Sequence, residues 1–434
     1  MKKIFLLFGL VFFFSLTTSA QSNSAINTKF LNDVVKQNWN EAESCLSGFL
    51  KSQIKDGGLK KLFDGISSQV GSLQSFDTIP GHSIDKSKIN QYIAHFTKQT
   101  LTLQIASNDS SKIIGFYLLP LAQSYKTPQY AISSKIQERK VGIPSGSIKL
   151  TGVFTTPIVN DKKKFPLVIF VGGSGPTDED ETMEAEKPFK DISLGLAIQG
   201  ISSLRFTKRT STYPDKFKDK SYTINDEYLE DVKNAILFAK TLDDIDSLKI
   251  FILGHSQGGM LAPLLLKQNT LLAGAILLEA NARPIEDLIY EQSVYLSHFN
   301  KDTANATNLK KLKSEIQTIK TISQVDSNKL FFNVKGSYWL SLKSYDPLKT
   351  AKALKNAKLL IIQGGKDYQV TEKDYLLWKK TLSPNVNVGF KFYPKINHAL
   401  VETDGNPLPQ DYEIPLNVPF YIITDISSWI NKHH

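Results

Sequence analysis

The 434-residue sequence has little sulfur: Cys45 is the sole cysteine, beside three methionines. One cysteine excludes an internal disulfide in any compartment. Cys45 reads instead as a small buried apolar side chain. Long arginine-rich blocks are absent too. The formal charge is +10, from 52 basic against 42 acidic residues, but the two signs are interleaved along the chain. That pattern gives a weakly basic surface and argues against a nucleic-acid partner. No apolar run makes a comfortable membrane span. The longest, residues 4–16, is too short. Gly-rich stretches lack both the lysine of a phosphate-binding loop and the third glycine of a dinucleotide fingerprint. No cofactor is expected, and no metal-ligand cluster is seen.

What is present begins with an export signal. Lys2 and Lys3 form a positive end, residues 4–16 an apolar core, and Thr18-Ser19-Ala20 a small-residue cleavage site. No cysteine follows that site, which argues against a lipid anchor. The mature chain is expected to start near Gln21, secreted or periplasmic.

Length allows two domains. Residues 25–130 carry two amphipathic helical patterns, Phe30 to Leu46 and Leu59 to Val70, then alternating stretches near residues 92–96, 101–105 and 113–118. Helices followed by such strands suggest a small α+β domain. Pro120 and Pro128 mark a linker. From residue 134 strands alternate with helices, as in a mostly parallel sheet covered on both faces. Expected strands lie at residues 136–143, 148–155, 166–171, 201–206, 250–253, 273–278, 358–362 and 389–393. Residues 283–342 interrupt the alternation and read as a helical cap at the sheet's ligand-binding edge.

The centre of the second region is residues 249–266, KIFILGHSQGGMLAPLLL. An apolar strand runs into Gly254-His255-Ser256-Gln257-Gly258 and then into a helix. This is G-x-S-x-G in its strand–turn–helix setting. The turn lifts the Ser256 hydroxyl clear of the sheet, and the two glycines admit close backbone. The helix start points N–H groups towards charge developing beside Ser256.

A nucleophilic serine needs a base, and there are seven histidines. His82 and His95 belong to the first region, His255 to the turn itself, and His298 to the insertion. His433 and His434 end the chain. His398 follows the last apolar strand and remains as the base. Asp367, at a strand's carboxyl end after KLLIIQGG, is the preferred acid, with Glu279 after LAGAILLEA the competitor. Glu372 and Asp374 read as a solvated helix start, and Asp178 to Glu181 as a solvated loop. The order Ser256, Asp367, His398 is that of α/β-hydrolases. Oxyanion donors are expected at the Gln257 N–H and, from the loop after residue 171, at the Ser174 N–H, with Gly175 next.

Several stretches together resemble the EstD-type bacterial carboxylesterases of the α/β-hydrolase superfamily. They are Gly172-Gly173-Ser174-Gly175-Pro176-Thr177-Asp178, Gly254-His255-Ser256-Gln257-Gly258-Gly259, Asn281-Ala282-Arg283-Pro284, Ser337-Tyr338-Trp339-Leu340, and Gln363-Gly364-Gly365-Lys366-Asp367 with Asn397-His398. The resemblance implies a triad on Ser256, Asp367 and His398. It also implies that residues 25–130 form a DUF3887 domain, similar to cystatin and NTF2-like folds. Three departures fall around the pocket loops. Gly172 stands where the family has His, Thr207-Lys208-Arg209-Thr210 replaces Asp-Lys-Arg-Gly, and the acidic run 178–181 lacks an Arg.

The expectation is therefore a secreted serine carboxylesterase acting on a small-molecule ester. A peptidase or amidase on the same triad is one alternative. A non-catalytic binding protein with the hydrolase fold is the other.

Overall fold

The computed structural model describes residues 22–434 except 55–57, 84–88, 109, 122, 160–163, 218–220, 300–304 and 434. The expected export signal, residues 1–20, falls outside the described residues. The chain divides into two compact units, Met1–Ala122 and Gln123–His434.

The first unit holds helices α1 (Ser22–Val35), α2 (Trp39–Ser44), α3 (Gly48–Gln53) and α4 (Gly58–Val70). Strands β1 (Leu73–Ser83), β2 (Ile89–Phe96), β3 (Thr100–Ser107) and β4 (Ile113–Pro120) follow as an antiparallel sheet in sequential order. Its core joins the helical stripe of Phe30, Leu31, Leu59 and Phe63 to Tyr92, Leu103 and Ile105. Cys45 is buried in it, as an apolar side chain would be. Strand β1 was not anticipated. It carries Pro80 and Gly81, which argue against a strand, and it tolerates them as an edge strand with a register shift between Thr78 and Ser83.

The second unit begins with an antiparallel pair, β5 (Ile136–Ser145) and β6 (Ile148–Pro157). Next come β7 (Phe165–Val171), α5 (Pro188–Ile198), β8 (Ser202–Phe206), and two short helices, α6 (Arg209–Thr212) and α7 (Pro214–Phe217). A π-turn at Asn225–Leu229 leads into α8 (Glu230–Ala239). Then follow β9 (Ile245–His255), α9 (Gln257–Gln268) and β10 (Leu272–Leu278). The segment expected as a cap folds as α10 (Ile285–Ser297), α11 (Asn305–Lys320), a small hairpin of β11 (Leu330–Phe331) and β12 (Val334–Lys335), and α12 (Gly336–Lys343). The chain closes with α13 (Pro347–Ala353), β13 (Leu359–Gly364), α14 (Glu372–Leu382), β14 (Val388–Tyr393) and α15 (Phe420–Lys432).

The eight strands lie in the order β14-β13-β10-β9-β7-β8-β6-β5. Only β6 runs against its neighbours on both sides; the rest, from β8 to β14, are parallel. This is the α/β-hydrolase architecture. The central strands are apolar throughout because both faces are covered. Side chains alternate between them with period two. Leu167, Ile169, Ile250, Ile252 and Leu277 enter one core. Val168, Phe170, Phe251, Leu253 and Ile276 enter the other, closed by Ile422 and Ile426 of α15.

This order also places the site. From β7 the chain moves to β8 on one side, then returns to β9 on the other. The loops leaving β7 and β9 diverge there and open a crevice at the strands' carboxyl ends. Both candidate oxyanion loops and the serine turn lie at that point.

Candidate active site

Ser256 joins β9 to α9 at φ 51 and ψ −120, a region that side chains other than glycine rarely enter. The flanking glycines make the turn sterically feasible. A Cβ on Gly258 would lie 2.2 Å from the Val171 carbonyl oxygen, and one on Gly254 would lie 2.3 Å from the Gly258 carbonyl oxygen. These neighbours are backbone and cannot swing away. Gly258→Ala is therefore expected to destabilise the domain by about 1–3 kcal/mol, the usual range for overpacking. Urea unfolding followed by fluorescence reads this directly. A midpoint equal to wild type would mean the turn has slack that the geometry does not show.

His398 and Asp367 come together as the spacing suggested. His398 Nδ1 lies 2.7 Å from Asp367 Oδ2, with both residues buried. The other carboxylate oxygen accepts the N–H groups of Gln369 at 2.7 Å and Val370 at 2.9 Å. These bonds fix the carboxylate plane. A carboxylate at Nδ1 holds the proton there and leaves Nε2 as the ring's basic nitrogen.

Glu279 is placed differently. It is fully buried at φ 45, and its oxygens accept from the Gly364 N–H at 2.8 and 3.0 Å and from the Gln363 amide. Burial, reinforced by the charge of Asp367, pushes its carboxyl well above the ordinary carboxylate range. Its surroundings therefore favour the neutral form.

His255 packs its ring 4.5 Å from that of His398. Its Nε2 contacts the His398 carbonyl oxygen at 2.8 Å, and its Nδ1 faces Glu181 at 3.1 Å. Burial works against a charged ring, but the Glu181 carboxylate outweighs it and holds His255 above the usual histidine range. Glu181 also accepts the Gly173 N–H at 2.5 Å. The pair thus ties the His398 loop to the loop after β7.

Ser174, Gly175, Ser256 and Gln257 line one cavity of about 240 Å³. Gln257 is the first residue of α9, so its N–H is among those a helix leaves without an internal partner. Gly175 has φ 75, a conformation that favours glycine. The opposite wall comes from the cap, through Ile285, Leu288, Ile289, Phe332, Trp339 and Leu342. The cavity is an apolar chamber with the serine at its polar end.

Two acidic stretches expected to be solvated are buried in part: Asp374, Asp180 and Glu181 are buried, whereas Glu372 is exposed and Asp178 and Glu179 are half-buried. Asp374 is fully buried because the Arg283 guanidinium bonds it, as do the Ala282 and Arg283 N–H groups. Arg283 also grips Glu291 of α10 at 2.8 Å, so this cluster anchors the cap's first helix. In the loop after β7, Asp180 is buried against Arg205 and Lys187, and Glu181 against His255. Each of these buried carboxylates meets a basic side chain from elsewhere in the sequence.

A further set of polar groups was not anticipated as part of the site. Glu227, in the π-turn, lines the cavity and bonds Tyr338 of α12 at 2.7 Å and Thr210 at 2.8 Å. Tyr338 in turn accepts from the Gln257 side chain at 2.8 Å. Lys208 lies 3.6 Å from Glu227. Lys208 and Tyr338 stood within distinctive stretches, but nothing in one sequence marks them as neighbours. Among the described residues, no three His, Cys, Asp or Glu side chains gather as a metal site, and no helix is long and apolar enough to cross a membrane.

Comparison with known proteins adds relatives to this geometry. Residues 209–411, a span holding Ser256, Asp367 and His398, match the prolyl oligopeptidase family. Over 407 residues the chain is 28% identical to esterase EstD of Thermotoga maritima, covering 93% of this chain and 94% of that protein. Among solved structures, Est1E from Butyrivibrio proteoclasticus is 19% identical, with a TM-score of 0.45 over 68% of this chain and 98% of its own. Pyrococcus horikoshii acylaminoacyl peptidase is 16% identical, with a TM-score of 0.42 over 75% of this chain and 45% of its own.

Proposed function

We propose, from the premise that the chain is a serine hydrolase of the α/β-hydrolase type, that it is a secreted carboxylesterase. The 2.7 Å bond between Asp367 and His398 carries this reading, because it supplies an oriented base whose ring packs against His255, the residue before Ser256. In the proposed reaction His398 Nε2 takes the Ser256 proton, and Oγ attacks the ester carbonyl. The carbonyl electron pair moves to oxygen, and the resulting oxyanion accepts the N–H groups of Gln257 and Ser174, with Gly175 next in line. The oxyanion collapses, His398 gives its proton to the departing alcohol, and an acyl-enzyme remains. Water then attacks with His398 as base again and frees the acid.

The N-terminal unit is read as a DUF3887-like domain without a catalytic role. A peptidase reading keeps the same residues and is favoured by the prolyl oligopeptidase match over 209–411. A panel of aryl esters of increasing acyl length, run beside peptide anilides, separates the two. The apolar chamber is expected to favour short and medium acyl chains, with anilides turned over at least a hundredfold more slowly. Efficient anilide cleavage without ester turnover would make the protein a peptidase. Absence of both activities, with no labelling by a serine-directed phosphonate, would leave a binding protein.

The secretion reading rests on residues 1–20. N-terminal sequencing of protein from native cells is expected to return a start near Gln21, from outside the cytoplasm. An intact Met1 on the native protein would overturn it.

A further inference from the structure

Lys208 is buried, and its side-chain nitrogen meets the backbone of the loop after β7. The ammonium sits 2.7 Å from the Gly173 carbonyl oxygen, 2.8 Å from that of Gly175, and 2.6 Å from the Tyr228 hydroxyl oxygen. Tyr228 comes from the π-turn and is itself buried. Its hydroxyl lies 2.6 Å from the same Gly173 oxygen. Lys208 Nζ donates to the tyrosine oxygen, and the Tyr228 hydroxyl proton goes to Gly173. The Gly173 carbonyl therefore receives two donors, one for each lone pair.

A trans peptide is planar, so its C=O and the following N–H point in opposite directions. Fixing the Gly173 carbonyl towards Lys208 and Tyr228 fixes the Ser174 N–H on the other side. Ser174 borders the cavity that holds Ser256. No other amide of this loop is set in the same way. The Gly173 N–H is taken by Glu181. The Gly175 carbonyl also meets Lys208, but the next residue is Pro176, which has no N–H.

We propose that Lys208 and Tyr228 are positioning residues that aim the Ser174 N–H at the oxyanion. This rests on the esterase reading above and selects Ser174 over Gly175 as the second donor. The two donors at the carbonyl end also polarise the peptide and make its N–H a better donor. Stability alone is a poor account of the arrangement. Apolar residues of similar volume in place of a buried ion pair are often neutral or stabilising. Glu227 balances the charge from 3.6 Å without touching the loop carbonyls.

The test compares a transition-state mimic with a ground-state one. An aryl trifluoromethyl ketone adds Ser256 Oγ to its carbonyl carbon. The π pair becomes an oxyanion, and the serine proton passes to His398. The secondary alcohol of the same skeleton fills the cavity and forms no oxyanion. Tyr228→Phe removes one oxygen. The double variant Lys208→Met with Glu227→Gln removes both charges, so no carboxylate is left buried alone. Deleting an oxyanion donor costs about 10²–10³ in kcat, and misaiming one should cost somewhat less. We expect kcat to fall about tenfold in Tyr228→Phe and about a hundredfold in the double variant. Ketone affinity should fall by the same factors, with KM and alcohol affinity within twofold of wild type in Tyr228→Phe and within twofold of Glu227→Gln alone in the double variant. A packing defect would weaken ketone and alcohol alike, and would overturn the inference. So would folded variants that bind the ketone within twofold of wild type. A wild type that forms no ketone adduct would instead sink the serine-hydrolase reading and this inference with it. The Ser256→Ala protein serves as the reference for absence of adduct.

Discussion

Ser256→Ala is expected to lower kcat for aryl ester hydrolysis by about 10⁶-fold, the loss seen when a serine nucleophile acting in a triad is removed. That factor corresponds to about 8 kcal/mol of barrier. The size follows from the role assigned to the residue. Without Oγ there is no acyl-enzyme, and only oriented water and the oxyanion donors remain. Binding should persist, because the apolar wall of the chamber belongs to the cap and not to the serine. The product alcohol or the ground-state mimic should therefore bind the variant within a few-fold of wild type. An activity within tenfold of wild type, in protein shown by mass to carry alanine, would remove Ser256 from the mechanism.

The same residue carries a second expectation, of opposite sign. At φ 51 and ψ −120 a side chain sits in a sparsely populated region, which costs on the order of 1–3 kcal/mol. Glycine escapes that strain but loses more entropy on folding, about 0.5–1 kcal/mol. Ser256→Gly should be as inactive as Ser256→Ala and more stable than it in urea. The turn spends stability to hold a hydroxyl above the sheet.

The parts of this site legible in the sequence are those with local signatures. The serine turn is written in glycine spacing, because only glycine admits the Val171 and Gly258 carbonyls at such short range. Asp367 and His398 are marked by following apolar strands, since a parallel sheet delivers every strand end to one edge. Lys208, Glu181, Glu227 and Asp374 had no such mark. Each is a charged residue in a polar-looking loop or helix, and such residues are usually solvated. Their burial depends on contacts far along the chain, such as Lys208 with Gly173 or Arg283 with Asp374. The π-turn added to this. A regular helix from residue 226 would set Glu227 and Tyr228 on a different face, and no periodicity announces the extra residue in the turn. Strand β1 was hidden by Pro80 and Gly81, and α15 by the irregular segment before it.

The acid is tested most sharply by a pair of amide substitutions. Asp367→Asn is expected to cut kcat by about 10⁴-fold, the scale on which an asparagine at this place disables such a triad. The cause is specific to the geometry. The Asp367 oxygen facing His398 Nδ1 at 2.7 Å accepts that nitrogen's proton and so keeps Nε2 basic. The other oxygen is already committed to the Gln369 and Val370 N–H groups. An asparagine must keep its carbonyl on those two donors and so turns its NH₂ towards Nδ1. Nδ1 becomes an acceptor, the proton moves to Nε2, and the base is lost. Glu279→Gln should behave otherwise. Burial and the nearby Asp367 charge raise the Glu279 pKa, and its carboxyl bonds Gly364 and Gln363. An amide replaces a carboxyl whose neutral form is favoured, so the charge facing Asp367 changes little and kcat should stay within about tenfold. One coupling complicates Asp367→Asn in a useful way. Removing the Asp367 charge takes away one cause of the raised Glu279 pKa, so Glu279 should ionise more readily. It then becomes the sole carboxylate of the pair, and residual activity in Asp367→Asn should rise with pH beyond the wild-type profile. The double variant Asp367→Asn with Glu279→Gln should lose that rise. If Glu279→Gln alone proved the more damaging substitution, the acid would be Glu279, and the Asp367 bond to His398 would be a structural contact.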